Sequence, residues 1–114
     1  MDEVVAPKKA DRIRLLNDNF RTTFVGGRVV MTQGVANLPL DEKARILLKV
    51  QGFADFNAEN DPHGEHDFGS FELAGETYFF KVDYYSPDLD GGSEDPADPQ
   101  KTTRVLTIMR ADEY

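Results

Sequence analysis

Apolar residues near the start of the chain recur at helical spacing. Ile13, Leu16, Phe20 and Phe24 step by three, four and four, which sets them on one helix face with Arg12, Arg14 and Arg21 off the stripe. Asp11 stands where an N-cap is expected, and Gly26-Gly27 where the helix should stop. Arg28, Val29, Val30, Met31 and Thr32 then predict a short strand, broken by Gln33-Gly34. A second helix is predicted with Pro39 in its first turn, Asp41 and Glu42 at its electropositive end and Lys49 near the other. Leu40, Ala44, Leu47, Leu48 and Val50 are its expected apolar face, and Gly52 its stop. Phe53 and Phe56, three apart, are expected to pack into the core.

In the second half the period changes from helical to two. Tyr78, Phe80, Val82 and Tyr84 fall on one face of a predicted strand, and Thr77, Phe79, Lys81, Asp83 and Tyr85 on the other. The run before it carries Phe68, Phe71 and Leu73, and Ala74-Gly75-Glu76 supplies a reverse turn, so the two runs predict a hairpin. Residues 102–110 are nearly continuously apolar in their middle, which suits a central strand. The fold class expected is α+β, with two helices packed on one face of a mostly antiparallel sheet of about four strands, in the order α-β-α-β-β-β. The 114 residues suffice for a single domain with a real core. Residues 1–9 read as a flexible tail, and residues 86–101, with Pro87, Pro96, Pro99 and Gly91-Gly92, as a long acidic loop.

Charge sharpens this picture because it is unevenly placed. Residues 1–50 hold nine Lys/Arg against six Asp/Glu, whereas residues 51–114 hold four against fifteen, so a net charge of −8 conceals halves of +3 and −11. Between Asp55 and Asp98 thirteen carboxylates share the chain with one cation, Lys81. Such a field repels nucleic acid and attracts basic proteins or metal ions. The absence of cysteine removes disulfides, a thiolate nucleophile and zinc–thiolate sites. No leader-like pattern and no apolar run near about 18 residues is present, so no membrane partner and a cytoplasmic location are expected.

The densest chemistry lies in residues 57–69, which hold both histidines. His63, Glu65, His66 and Asp67 have the donor types for a divalent metal, although His-x-x-His is one residue short of the helical zinc pattern and Gly64 argues for a turn. A second oxygen-rich run, Asp88-Leu89-Asp90-Gly91-Gly92-Ser93-Glu94, lacks the glycine spacing of a calcium-binding hand. His66 with Asp67 or Asp83 has the makings of an acid–base pair, but no nucleophile pattern accompanies it, and Gly26-Gly27 lacks the spacing of a phosphate loop. The other use of the carboxylates is imitation of nucleic acid, with Phe79, Tyr84 and Tyr85 as apolar anchors beside the charge.

The linked motifs Asn60-Asp61-Pro62-His63-Gly64-Glu65-His66-Asp67-Phe68-Gly69, Lys81-Val82-Asp83-Tyr84-Tyr85, Ser93-Glu94-Asp95-Pro96-Ala97-Asp98-Pro99 and Thr103-Arg104-Val105-Leu106-Thr107-Ile108-Met109 span much of the chain. With Ile13-Arg14-Leu15-Leu16-Asn17-Asp18 and Ala111-Asp112-Glu113-Tyr114, the pattern resembles an uncharacterised bacterial domain-of-unknown-function family of alphaproteobacterial genomes and mobile elements. The resemblance implies a small accessory protein of mobile DNA, a setting in which inhibitors of host defence are common, and it transfers no catalytic residue.

The function expected is therefore non-enzymatic. The chain reads as an acidic interaction protein, without cofactor, that inhibits a basic nucleic-acid-handling protein such as a nuclease or CRISPR effector subunit, without binding nucleic acid itself. Glu65, Asp67, Asp83, Asp88, Asp90, Glu94, Asp95 and Asp98 are its expected partner-binding residues. The competing expectation is a metal-binding protein or metal-dependent enzyme centred on His63, Glu65, His66 and Asp67.

Overall fold

A computed structural model describes residues 8–114. In chain order the elements are α1 (Lys9–Thr23), β1 (Gly27–Met31), α2 (Gln33–Ala36), α3 (Leu40–Gln51), β2 (Phe68–Leu73), β3 (Glu76–Tyr85) and β4 (Thr103–Arg110), with 3-10 turns at Pro99–Lys101 and Ala111–Glu113. The fold is α+β. The sheet order is β1-β4-β3-β2, with β4 central, β1 parallel to it and the other neighbours antiparallel. Among the described residues no helix is long and apolar enough to cross a membrane.

Strand alternation places the core as the period-two pattern requires. Tyr78, Phe80 and Val82 of β3 are buried opposite Arg110, Ile108 and Leu106 of β4, and Phe20, Val35, Ile46 and Val50 of the helices close over them. On the opposite face Phe68, Phe79 and Tyr114 pack together, with ring centroids 5.2 to 6.3 Å apart. The β2–β3 hairpin closes through Ala74 and Gly75, both left-handed (φ 53° and 81°), as the twist of a two-residue turn demands.

The helices depart from expectation at several points. Lys9 is already helical, so the tail shortens, and its residues 1–7 lie outside the described residues. The N-cap position of α1 is Lys8; Asp11 sits in the first turn and pairs with Arg14 at 2.9 Å. Phe24 ends α1 by turning left-handed (φ 61°), ahead of the glycines. In α3 the inward side is Ile46 and Val50, whereas Leu40, Ala44 and Leu48 are exposed. Those three recur every fourth residue and make a genuine row, but α1 and the sheet cover the neighbouring row.

A third helix appears where Gln33-Gly34 reads as a breaker. Val35 at its centre is fully buried, which holds a four-residue helix that local propensity would not. Its start is clamped from the far end of the chain. The Glu113 carboxylate accepts hydrogen bonds from Thr32 Oγ1 (2.6 Å) and from the amides of Gly34 and Arg110 (both 2.9 Å). The Thr32 hydroxyl first, then the two amides, hold the Glu113 carboxyl below the usual glutamate range. A depressed folded-state pKa means that this stabilisation is present above the unfolded value and is lost as pH falls through the folded one. Wild type should therefore melt above Glu113→Gln at neutral pH, and the two melting temperatures should converge in acid; a gap that persists in acid would contradict the clamp.

Candidate functional site

The loop of residues 57–67 is fastened to α1, β3 and β4 by a buried polar network. Asn17, fully buried on α1, uses both ends of its amide. Its Nδ2 donates to Tyr84 Oη (2.8 Å) and to the Glu65 carbonyl (3.0 Å), and its Oδ1 accepts from Arg104 Nε (2.8 Å). Tyr84 Oη donates in turn to Glu65 Oε1 (2.8 Å). Arg104 also donates to the Pro96 carbonyl and lies over the Tyr84 ring, 5.3 Å from its centroid. Burial, with the Glu65 carboxylate adding to it, pushes the Tyr84 hydroxyl far above the ordinary tyrosine range, so it stays a donor.

Beside this chain sits His66. Its backbone is left-handed (φ 55°), and its ring stacks on Phe56 with centroids 3.8 Å apart. Nδ1 lies 2.9 Å from Asp18 Oδ1, and Nε2 lies 3.6 Å from Asp61 Oδ2. Asp61 Oδ1 accepts the amides of Glu65 and His66, both at 3.1 Å. Arg21, almost fully buried, pairs with Asp18 at 3.0 Å, donates to the Phe53 carbonyl and covers the Phe56 ring. These contacts lock a turn rich in left-handed residues onto α1.

The placement revises the chemistry expected of this loop. His66 is paired with Asp18 and Asp61, not with Asp67 or Asp83. His63 is exposed, and Glu65 is turned to Tyr84. Asp67 is half-buried, and burial, followed by the charges of Glu65 and Asp61, raises its pKa. Among the described residues no three His, Cys, Asp or Glu side chains converge as metal ligands would. Asn17, Asp18 and Arg104 entered the sequence motifs without a role in the site, and Arg21, placed off the apolar stripe of α1, is instead buried. Arg104 carried a signal, since it shares strand parity with the buried Leu106 and Ile108, and a cation at such a position needs buried partners.

The acidic loop is a second constructed feature. Ser86 and Gly91 close its first turn (Ser86 N to Gly91 O, 2.8 Å), Leu89 is left-handed (φ 64°), and Gly92 bridges to Tyr85. Ser93 Oγ donates to the Lys101 carbonyl, and Thr102 Oγ1 contacts the carbonyls of Asp95 and Asp98, each at 2.9 Å. Three of the nominated carboxylates serve the loop itself. Asp88 accepts from Ser86 Oγ (2.6 Å) and the Asp90 amide, Asp95 from the Ala97 amide and Lys9 Nζ (3.2 Å), and Asp98 from the Gln100 amide. The Ser86 hydroxyl holds the Asp88 carboxyl below the usual range, and Lys9 does so for Asp95. Asp90 and Glu94 are exposed, and no contact among the described residues uses either carboxylate. Asp83 pairs with Lys81 at 3.0 Å on the sheet face away from the helices. Tyr84 points into the buried network, so of the three aromatic anchors only Phe79 and Tyr85 stay on the outer face.

Residues 31–113 match a family described as Protein of unknown function (DUF3768). No curated protein and no solved structure matches the chain.

Proposed function

We propose, from the premise that the chain belongs to the family DUF3768, that it is a non-enzymatic acidic module that docks on a basic protein surface through its 86–98 loop. The observation that carries the reading is the bracing of that loop. Five carboxylates with no cation between them in the sequence, one of them paired with Lys9 of α1, are held on a backbone cross-linked by Ser86, Ser93, Thr102 and Arg104. A loop ordered before contact loses little entropy on binding, and a compact negative field steers a cationic partner to it. A nucleic-acid-handling protein fits this chemistry, because its basic groove is built for an anionic polymer. The sharper form of the reading is inhibition of a nuclease or CRISPR effector subunit in anti-defence.

The metal-centred alternative has less to support it, since His66 is engaged by Asp18 and Asp61 and its expected co-ligand Glu65 by Tyr84.

The test is capture of basic proteins from a host lysate at low salt, followed by release at high salt and identification by mass spectrometry. The decisive variant reverses Asp90 and Glu94 to lysine. Both are exposed and cap no turn, so the circular dichroism spectrum should not change, whereas reversal of Asp88, Asp95 or Asp98 would also loosen the loop. Affinity for the captured partner should fall by about tenfold or more, because two attractions become repulsions. Salt-insensitive capture, or capture unaffected by the reversals, would remove the acidic loop as the docking surface.

A further inference from the structure

The free edge of β2 and the helix above it form a surface with three matching features. First, β2 ends the sheet order, so one side of it meets no strand among the described residues. The Val82 amide donates to the Asp67 carbonyl at 2.8 Å, which fixes the alternation: Asp67, Gly69 and Phe71 turn their backbone groups toward β3, and Ser70 and Glu72 turn theirs outward. Second, the exposed row of α3 lies beside this edge. Leu48, 68% exposed, lines a groove of about 420 Å³ with Phe53, Phe71 and the edge residues, and Leu40, 79% exposed, continues the row two turns earlier. Third, the groove carries one cation, Lys49, and two carboxylates, Asp55 and Glu72.

We propose that this edge is an interface between two copies of the chain, with β2 pairing antiparallel to β2 of a second copy around Ser70. A two-fold axis normal to the sheet keeps the helices of both copies on one side of a continuous sheet. The open amides and carbonyls at Ser70 and Glu72 then find partners, and the two Leu48 side chains face each other across the seam. The rim is self-complementary, since Lys49 of each copy meets a groove bearing carboxylates. An unrelated partner would have to supply both an extended strand and an apolar helix row beside it. A second copy brings both by symmetry. The dimer would present two acidic loops, which raises avidity for a partner with repeated basic sites.

Sedimentation velocity over a concentration series tests this, using the whole chain. The expected species has twice the 12.8 kDa chain mass. The groove holds no residue of the acidic loop, so Leu48→Glu leaves capture through that loop intact, and reversal of Asp90 and Glu94 leaves the dimer intact; the two readings fail independently. Ser70→Pro removes only an outward amide and should leave a folded monomer. Leu48→Glu alters an exposed residue and should weaken dimerisation by at least about tenfold. If Ser70→Pro does not fold, Leu48→Glu decides alone. A dimer that persists in either folded variant overturns the proposal. So does a wild-type chain that stays monomeric, which would leave the edge to an extended segment of another protein.

Discussion

Replacing Asn17 with leucine should destabilise the protein by about 3–5 kcal/mol, as expected when one member of a buried charged network is removed. Leucine is close to asparagine in size, so the loss is electrostatic. The substitution strips a partner from Arg104 Nε, from Tyr84 Oη and from the Glu65 carbonyl, and water does not reach a position that is fully buried. Tyr84→Phe should cost less, about 1–2 kcal/mol, because it removes a hydroxyl together with its own need for partners. The double variant should then lose less than the two singles combined, since each removes part of the demand the other leaves unmet. Urea denaturation of the four proteins measures the cycle. Strict additivity would show that Asn17 and Tyr84 act separately. Amide exchange gives a second readout, because freeing Glu65 from α1 should raise exchange across residues 57–67 while leaving β3 and β4 protected.

Phe80→Ala should cost about 3–5 kcal/mol, the range for an aromatic truncated in a packed core. Phe80 is fully buried, meets Phe53 edge-on at a centroid distance of 5.2 Å, and lies under the Arg21 guanidinium at 5.7 Å. Gly69, its cross-strand neighbour, exists to admit that ring. A Cβ at Gly69 would overlap the Phe80 ring and come within 2.8 Å of Phe53. Gly69→Ala should therefore cost about 1–3 kcal/mol through overpacking. The same change in a Phe80→Leu background should cost clearly less, because the smaller side chain vacates the overlap. Thermal melts of the four variants decide it. An equal penalty in both backgrounds would assign the glycine to backbone conformation instead.

Much of this fold was legible from spacing. Period two in residues 77–85 set Tyr78, Phe80, Val82 and Tyr84 on one face, which the structure turns toward the helices, and the apolar middle of residues 102–110 placed β4 inside the sheet. Helical spacing located α1 and α3 but only part of the buried side of α3: Leu47 and Val50 pack on the core as expected, Ile46 joins them unexpectedly, and Leu40, Ala44 and Leu48 are exposed. Its sequence carries two apolar rows, and only the position of α1 and the sheet decides which is covered. The helix at Gln33–Ala36 was hidden for a related reason. Four residues with a glycine carry no helical signal, and what holds them is Val35 in the core and the Glu113 carboxylate, 79 residues from Gly34 in the chain.

The candidate site divides in the same way. Sequence located residues 57–69 as the densest chemistry and residues 86–101 as the acidic loop, because composition and charge are local properties. It could not pair His66 with Asp18, or Arg104 with Asn17, since those contacts join residues 48 and 87 positions apart. Nor could it show which carboxylates are spent on the chain itself. Asp88, Asp95 and Asp98 cap turns and Glu65 holds a tyrosine, which leaves Asp90 and Glu94 facing outward. Sequence by itself determined the element types, the asymmetry of charge and the regions where function concentrates, because these follow from side-chain period and formal charge. Tertiary structure alone decided which polar groups are mutually satisfied and which are exposed, because burial is set by what lies opposite in space.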